Sequence, residues 1–157
     1  MKKAAIICAL LTTVFLLACE STQEVASPVS MLNKNLERAS VGGFGYKSSE
    51  VPSWEYDAWA KASAPLVQQT LTQVPEGYLL QVTGHTDSTG PEQAVGAKPG
   101  NIKISTDRAK GVYDSLKKQG ITSDKLTYKG VGSSQLLDGV PGNDAKQRRV
   151  SFQVVPK

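Results

Sequence analysis

Residues 84–90, GHTDSTG, leave the end of a short apolar segment and decide how the rest of the chain is interpreted. The segment before them, residues 78–83 (YLLQVT), alternates in the way that is typical of a strand with one buried face. A loop with proline and glycine follows over residues 91–100, and residues 101–119 then carry apolar side chains at helical spacing. This stretch predicts a strand, a polar turn, a loop and a helix, in that order.

Elements of the same kinds are predicted on both sides of this stretch. A helix is predicted to begin at Ser53, and Pro65 inside it is expected to kink it or split it in two. Residues 126–128 and 150–154 alternate as strands, and residues 42–46 favour a short, irregular first strand. The predicted fold class is α+β: a βαβαβ order with a terminal strand, in which two helices pack on one face of a small mixed sheet as a two-layer sandwich.

The N-terminal residues form a segment of a different kind. Lys2 and Lys3 precede 15 mostly apolar residues, 4–18, which is fewer than the about 20 that a membrane-spanning helix needs. This pattern is typical of a secretory signal peptide. The apolar run ends directly before Cys19 and resembles a bacterial lipobox, in which the signal is cut before the cysteine and the cysteine is acylated. Residues 1–18 are therefore predicted to be a lipoprotein signal peptide and Cys19 a lipidation site that anchors the chain to a membrane. The alternative is a plain signal peptide with a chance cysteine.

A polar segment separates this cysteine from the predicted domain. Residues 19–40 carry scattered apolar positions among polar ones and are predicted to be a flexible tether, in which residues 31–38 could form a short helix. The folded domain is then expected to cover residues 41–157.

Composition excludes several classes of protein. The length of 157 residues suits one domain, and without Lys2 and Lys3 the chain carries 16 basic and 14 acidic residues, a net charge of +2. This charge gives no basic field for nucleic acid, so no nucleic-acid partner is predicted. Cys8 and Cys19 are the two cysteines, and both precede the predicted domain, which excludes a disulfide framework or a cysteine metal site within it. His85 is the single histidine and is interpreted as structural, so no metal site and no cofactor are predicted.

Four motifs in order resemble the signatures of the OmpA-like C-terminal domain family. They are residues 84–90 (GHTDSTG), 101–109 (NIKISTDRA), 130–132 (GVG) and 147–150 (QRRV). The resemblance covers about residues 41–157. With the lipobox in front, the chain is similar to the peptidoglycan-associated lipoproteins of this family, and most similar to spirochaete-type OmpA-like outer-membrane lipoproteins.

The resemblance implies a binding site for the peptide stem of peptidoglycan, usually at diaminopimelate. The side-chain end of that residue carries an ammonium and a carboxylate. Asp87 is expected to accept the ammonium, and Arg108 to bind the carboxylate through a fork of two N–H groups. Thr89 and Asn101 match family positions that line the pocket, and Arg149 is expected to complete its wall.

The chain departs from the family pattern at three places. The loop over residues 91–100 is longer than usual, and Gln147 replaces the usual asparagine before the arginine pair. Gly45, Tyr46 and Lys47 stand where many members have an acidic residue. The rim of the pocket is therefore expected to differ from that of other members.

The predicted function is that of an outer-membrane lipoprotein, with a periplasmic domain, that binds peptidoglycan non-covalently and tethers the membrane to the cell wall. The first alternative is a surface-exposed adhesin that contacts host or envelope proteins. The second is a wall hydrolase, which is disfavoured because Asp87 has no obvious carboxylate partner in its motif. An aspartate and an arginine 21 positions apart would alone indicate no more than a surface salt bridge, so the site prediction depends on the motifs around them.

Overall fold

The computed structural model describes residues 27–50 and 53–157. The predicted signal peptide, Cys19 and the first part of the predicted tether lie outside these residues. Within the two described ranges, no helix is both long enough and apolar enough to cross a membrane.

Three strands form one small mixed sheet. They are β1 (Tyr78–Gly84), β2 (Leu126–Gly130) and β3 (Val150–Pro156). Strand β1 lies in the centre, parallel to β2 and antiparallel to β3. The predicted α+β class with a small mixed sheet is confirmed.

The predicted first strand over residues 42–46 is wrong. Val41 makes a single antiparallel bridge to Val150, with N–H···O distances of 2.9 and 2.8 Å, and the pairing stops there. Gly43 follows with a φ of +85°, which extended strands do not adopt and which turns the backbone away from the sheet. Phe44 is consequently buried in the core and does not continue a strand.

Among the described residues, three α-helices accompany the sheet, and the first of them overlaps the short helix that residues 31–38 could form. They are α1 (Pro28–Leu36), α2 (Ser53–Gln73) and α3 (Asn101–Lys118). Helix α2 continues across Pro65 as one element, so the predicted split does not occur. Helix α3 agrees with the predicted range to within one residue at its C-terminal end.

Helix α1 corrects the predicted tether. The Ser27 hydroxyl caps it by accepting a hydrogen bond of 3.1 Å from the Ser30 N–H. Leu32 and Leu36, four positions apart, form one buried face, and the Asn33 side chain accepts a 2.7 Å hydrogen bond from the backbone of β3. A single turn of 3₁₀ helix, Glu37–Ala39, follows α1. Residues 28–39 therefore belong to the folded domain, which begins earlier than residue 41.

The hydrophobic core lies between the sheet and the helices. It combines inward residues of every strand with one face of each helix, and its completely buried members include Leu36, Val67, Leu80, Val82, Val112, Leu116 and Val150. Burial of this apolar surface is the main stabilising contribution to the fold.

Two glycines let α3 approach the sheet closely at the end where the predicted site lies. Gly84 and Gly130 are paired neighbours on β1 and β2. A Cβ atom on Gly84 would lie 1.9 Å from the Ser105 carbonyl oxygen, and one on Gly130 would lie 2.2 Å from the Thr106 nitrogen. The first turns of α3 therefore rest directly on the ends of β1 and β2, beside the polar turn that follows β1.

Candidate functional site

A narrow pocket lies where β1 ends and α3 begins. Four of the five predicted ligand-binding residues line it: Asp87, Thr89, Asn101 and Arg108. The other lining residues are Lys47, Thr86, Ile104 and Arg148. We call this the Asp87 pocket. Its gaps are too narrow for a water molecule.

Asp87 is a buried carboxylate in a fixed position. One oxygen accepts hydrogen bonds from the backbone N–H of Thr89, at 3.1 Å, and from the Thr89 hydroxyl. The other oxygen forms an ion pair of 2.9 Å with Nη1 of Arg148. Burial by itself would raise the pKa of Asp87, but the hydrogen bonds from Thr89 and Arg148 outweigh it and leave the pKa below its ordinary value. Asp87 is therefore ionised at neutral pH.

Arg108 is fully buried, and its guanidinium is held by backbone carbonyls. Its Nε donates 2.8 Å to the Ser48 oxygen, and Nη2 donates to the oxygens of Ser48 and Gly45 at 2.6 and 3.0 Å. Its Nη1 donates 2.7 Å to the His85 oxygen, and the guanidinium carbon lies 5.0 Å from the centroid of the Phe44 ring. Burial, with the charge of Arg148 as the next cause, lowers the pKa of Arg108 to about 10, so it remains a cation at pH 7.

These contacts correct one part of the sequence prediction. The side chain of arginine has five N–H groups. In Arg108, four of these five already donate hydrogen bonds to backbone carbonyl oxygens. The expected free fork of two N–H groups is therefore occupied by the chain itself. The carbonyl partners at Gly45 and Ser48 lie about 60 positions away in sequence, so nothing near Arg108 indicated them.

Arg149 does not complete the wall of the Asp87 pocket, and Arg148 takes that place. Arg148 pairs with Asp87 and also donates 2.8 Å to the Phe44 oxygen through Nε. Arg149 contacts the oxygens of Gln135 and Gln147 and lines a separate surface hollow. Neighbouring residues in extended backbone point to opposite sides, which separates the two arginines. Val150 points inward, and in extended backbone the residue two positions before it lies on the same side. This alternation in the sequence could have indicated that Arg148, and not Arg149, faces the pocket.

Asn101 and Thr89 occupy the rim between the pocket and the loop over residues 91–100. The Asn101 amide donates to the Gly90 oxygen at 3.4 Å and to the Glu92 carboxylate at 3.2 Å. Its side chain thus ties the first residue of α3 to the start of the loop. The Thr89 hydroxyl points at Asp87.

His85 has a structural environment. It is buried, its Nε2 lies 2.8 Å from the Ser151 hydroxyl, and its carbonyl oxygen accepts from Arg108. Burial, and secondarily the charge of Arg149, lowers the pKa of His85 to about 4, so the ring is neutral at pH 7. Among the residues that the structure describes, no three histidine, cysteine or acidic side chains cluster in a way that could hold a metal ion.

Lys47 is the pocket residue that sequence reasoning flagged only as a departure from the family pattern. It adopts a φ of 51°, which non-glycine residues rarely take, and its side chain runs close to Gly90. Its neighbours Gly45 and Ser48 supply the carbonyls that hold Arg108. We call residues 44–48 the lid, because Lys47 lines the Asp87 pocket and the carbonyls of Gly45 and Ser48 cover the guanidinium of Arg108.

A second, larger cavity adjoins the Asp87 pocket. It has a volume of about 440 Å³ and shares Lys47, Asn101 and Ile104 with that pocket. Its remaining walls come from the loop after β1: Gly90, Pro91, Val95, Lys98 and Pro99. We call it the loop cavity.

The fold and the Asp87 pocket together define a small α+β domain with a closed ionic site. The chain belongs to the OmpA family, whose sequence profile matches residues 44–149. Outer membrane protein A of Serratia marcescens is 36% identical over 90 residues, which are 57% of this chain and 23% of that protein. The chain thus spans less than a quarter of the length of that relative.

Solved structures share the fold. The peptidoglycan-associated lipoprotein of Burkholderia pseudomallei is 21% identical, with a TM-score of 0.53 over 82% of this chain and 100% of that one. The OmpA-like domain of FopA1 from Francisella tularensis is 25% identical, with a TM-score of 0.52 over 74% of this chain and 71% of that one. The periplasmic domain of Helicobacter pylori MotB is 18% identical, with a TM-score of 0.55 over 75% and 81% of the two chains.

Proposed function

We propose that this domain binds the peptide stem of peptidoglycan non-covalently and that, with Cys19 lipidated, the chain tethers the outer membrane to the cell wall. The observation that carries this proposal is the convergence of Asp87 and Arg108 on one pocket. Membership of the OmpA family and the fold shared with a peptidoglycan-associated lipoprotein support it.

The chemistry of the Asp87 pocket suits a zwitterionic end group such as that of diaminopimelate. Asp87 is ionised and rigidly held, so it can accept hydrogen bonds from an ammonium. Arg108 supplies a buried positive charge and one N–H that is not donated to a carbonyl, and both favour a ligand carboxylate. The two groups would bind the ammonium and the carboxylate at the same end of the ligand.

Ligand entry requires the lid over residues 44–48 to move. The gaps in the Asp87 pocket are too narrow for a water molecule, and Lys47 lines the pocket with its side chain close to Gly90. Displacement of the lid would also free the N–H groups of Arg108 that its carbonyls now occupy. A second ligand hydrogen bond to the guanidinium then becomes available.

The pocket is suited to binding and not to hydrolysis. Asp87 is the one carboxylate among the residues that line it, and that carboxylate is already ion-paired to Arg148. General acid and base catalysis of bond cleavage needs a further titratable group within reach of the reacting atom.

A cell-wall pull-down tests the proposal. Purified peptidoglycan should retain the wild-type protein, and Asp87→Asn should reduce the retained fraction at least tenfold because it removes the charge but keeps the shape. Asp107→Asn is the matched control, since Asp107 lies one residue from Arg108 but pairs with Lys103 on the outer face of α3. Equal retention of the wild type and Asp87→Asn, with both proteins folded, would show that the site is elsewhere.

A further inference from the structure

The loop cavity continues the Asp87 pocket away from the core. The two spaces share Lys47, Asn101 and Ile104 as walls, so they are adjacent. The volume of about 440 Å³ lies within the roughly 300–1,000 Å³ that is usual for small-ligand sites.

The loop that forms this cavity has a defined conformation. Val95 and Lys98 exchange backbone hydrogen bonds of 3.1 and 3.2 Å across a tight turn. At its base, Glu92 accepts hydrogen bonds from Asn101 and from the backbone and hydroxyl of Ser133. The loop cavity is therefore fastened both to α3 and to the segment after β2.

The charges around the two spaces do not balance. Lys47 and Lys98 are exposed cations on the loop cavity, and no acidic residue lines it. The Asp87 pocket adds Arg108 and Arg148 against the single carboxylate of Asp87. Four cations and one anion leave a net charge of +3, whereas the zwitterionic end of diaminopimelate carries no net charge. Two of these excess charges, Lys47 and Lys98, line the loop cavity, where the ligand would extend beyond the Asp87 pocket.

The apolar walls of the loop cavity also limit which ligand group can bind there. Val95, Ile104, Pro91 and Pro99 offer small hydrophobic surfaces beside the two lysines. A ligand group for this space needs short apolar side chains and an anionic end. In a stem peptide, the two residues beyond diaminopimelate are D-alanines, and the second ends in a carboxylate. Two residues span at most about 7 Å, so this terminus would stay within the adjoining space.

We propose that the loop cavity is a subsite for the D-alanyl carboxylate terminus of the stem peptide, an inference that rests on the proposed function. Lys47 and Lys98 bind the terminal carboxylate, while Val95 and Ile104 contact the methyl groups. The domain then selects stem peptides whose C-terminus is free. It discriminates against cross-linked donor stems, which have lost the terminal D-alanine and whose remaining D-alanyl carbonyl is bound as an amide to another stem.

Calorimetric titration with three synthetic stem peptides tests this selectivity. The probes are a pentapeptide that ends in a free D-alanyl-D-alanine, the same peptide as its C-terminal amide, and the tripeptide that ends at diaminopimelate. We expect the wild-type protein to bind the free acid about tenfold more tightly than the amide, since one charge-assisted contact is lost. The tripeptide should bind about as weakly as the amide, and the preference for the acid should shrink at high salt.

Lysine variants test whether the loop cavity is the source of the preference for the free acid over the amide. The double variant Lys47→Gln and Lys98→Gln should bind acid and amide equally, and both lysines are exposed, so the fold does not depend on them. Lys103→Gln, an exposed lysine on the outer face of α3, should keep the preference. If the double variant keeps it as well, the assignment of the loop cavity is wrong.

The outcomes separate this inference from the proposed function. Equal binding of acid and amide by the wild type, with both lost in Asp87→Asn, would overturn the subsite and leave peptidoglycan binding in place. Failure of the wild type to bind any of the three peptides would overturn both proposals.

Discussion

Helix α3 carries ionic groups on two faces: those on the inner face are buried, and those on the outer face are exposed to solvent. On the inner face, Arg108 is 0% exposed, and four of its N–H groups are donated to backbone carbonyls of other segments. On the outer face, Lys103 pairs with Asp107 at 2.6 Å, but these side chains are 64% and 36% exposed. Adjacent positions in sequence, 107 and 108, thus serve opposite environments.

The difference shows that a short ionic distance does not by itself mark a functional site. The outer pairs Lys103–Asp107 and Lys110–Asp114 are both as short as 2.6 Å, yet water solvates their members and screens their attraction. Arg108 is buried away from solvent and depends on partners fixed by the fold. Such hydrogen-bonded partners fix the position of the guanidinium in the pocket before a ligand enters.

The largest expected effect comes from removing the inner cation. Arg108→Met should lower the free energy of unfolding by about 3 kcal/mol or more, because each buried carbonyl left without a donor costs about 1–3 kcal/mol. Urea denaturation measures this loss. Lys103→Met on the outer face is the control and should change stability by no more than about 0.5 kcal/mol. Similar losses in both variants would remove the distinction between the two faces.

A second effect concerns pH and His85, whose carbonyl oxygen binds Arg108. The pKa of His85 falls from 6.5 to about 4 on folding, so the unfolded chain binds a proton more readily. The stabilising contribution is complete above about pH 6.5 and is lost as the pH falls towards 4. At pH 5 the protein should be about 2 kcal/mol less stable than at pH 7, at 1.36 kcal/mol per pH unit.

Comparison with His85→Gln isolates this contribution. The variant should lose about 2 kcal/mol less than the wild type between pH 7 and pH 5, as measured by urea denaturation at both values. If the wild type and the variant lose the same stability between pH 7 and pH 5, His85 is not held neutral by burial.

The smallest effect is expected on the outer face. Lys110→Ala removes an exposed pair with Asp114 at i,i+4 spacing, and exposed pairs of this kind contribute little to stability. Added salt should reduce even this small difference, because it screens exposed charges. Thermal unfolding at low and high ionic strength is the measurement, and a loss comparable to that of Arg108→Met would show that the outer face also depends on its ion pairs.

Much of the fold could be predicted because its elements carry local patterns. The alternation in residues 78–83 and 150–154 and the helical spacing in residues 101–119 depend on nearby side chains alone. Helix α1 was placed within a tether because only Leu32 and Leu36 form its buried face, and two leucines in a polar segment are a weak signal. The predicted first strand over residues 42–46 is wrong because its glycines fit a turn as well as an irregular strand, so the sequence does not distinguish the two.

The site was predictable in its residue types more than in its contacts. The motifs indicated Asp87, Thr89, Asn101 and Arg108, and these four line one pocket. The carbonyls that hold Arg108 come from residues 45–48, and their position is set by the turn at Gly43 and by the unusual backbone of Lys47. Such long-range backbone contacts leave no pattern in the sequence around the arginine.

The most direct test of the central claim is an NMR titration of the protein with free diaminopimelate. The account predicts that the backbone amide signals of Thr89, Asn101 and the lid residues 44–48 shift together and saturate, and that Asp87→Asn abolishes these shifts. The amides of Asp107 and Asp114 on the outer face of α3 should move little. Saturating shifts that persist in Asp87→Asn, or that lie on the outer face, would contradict the account.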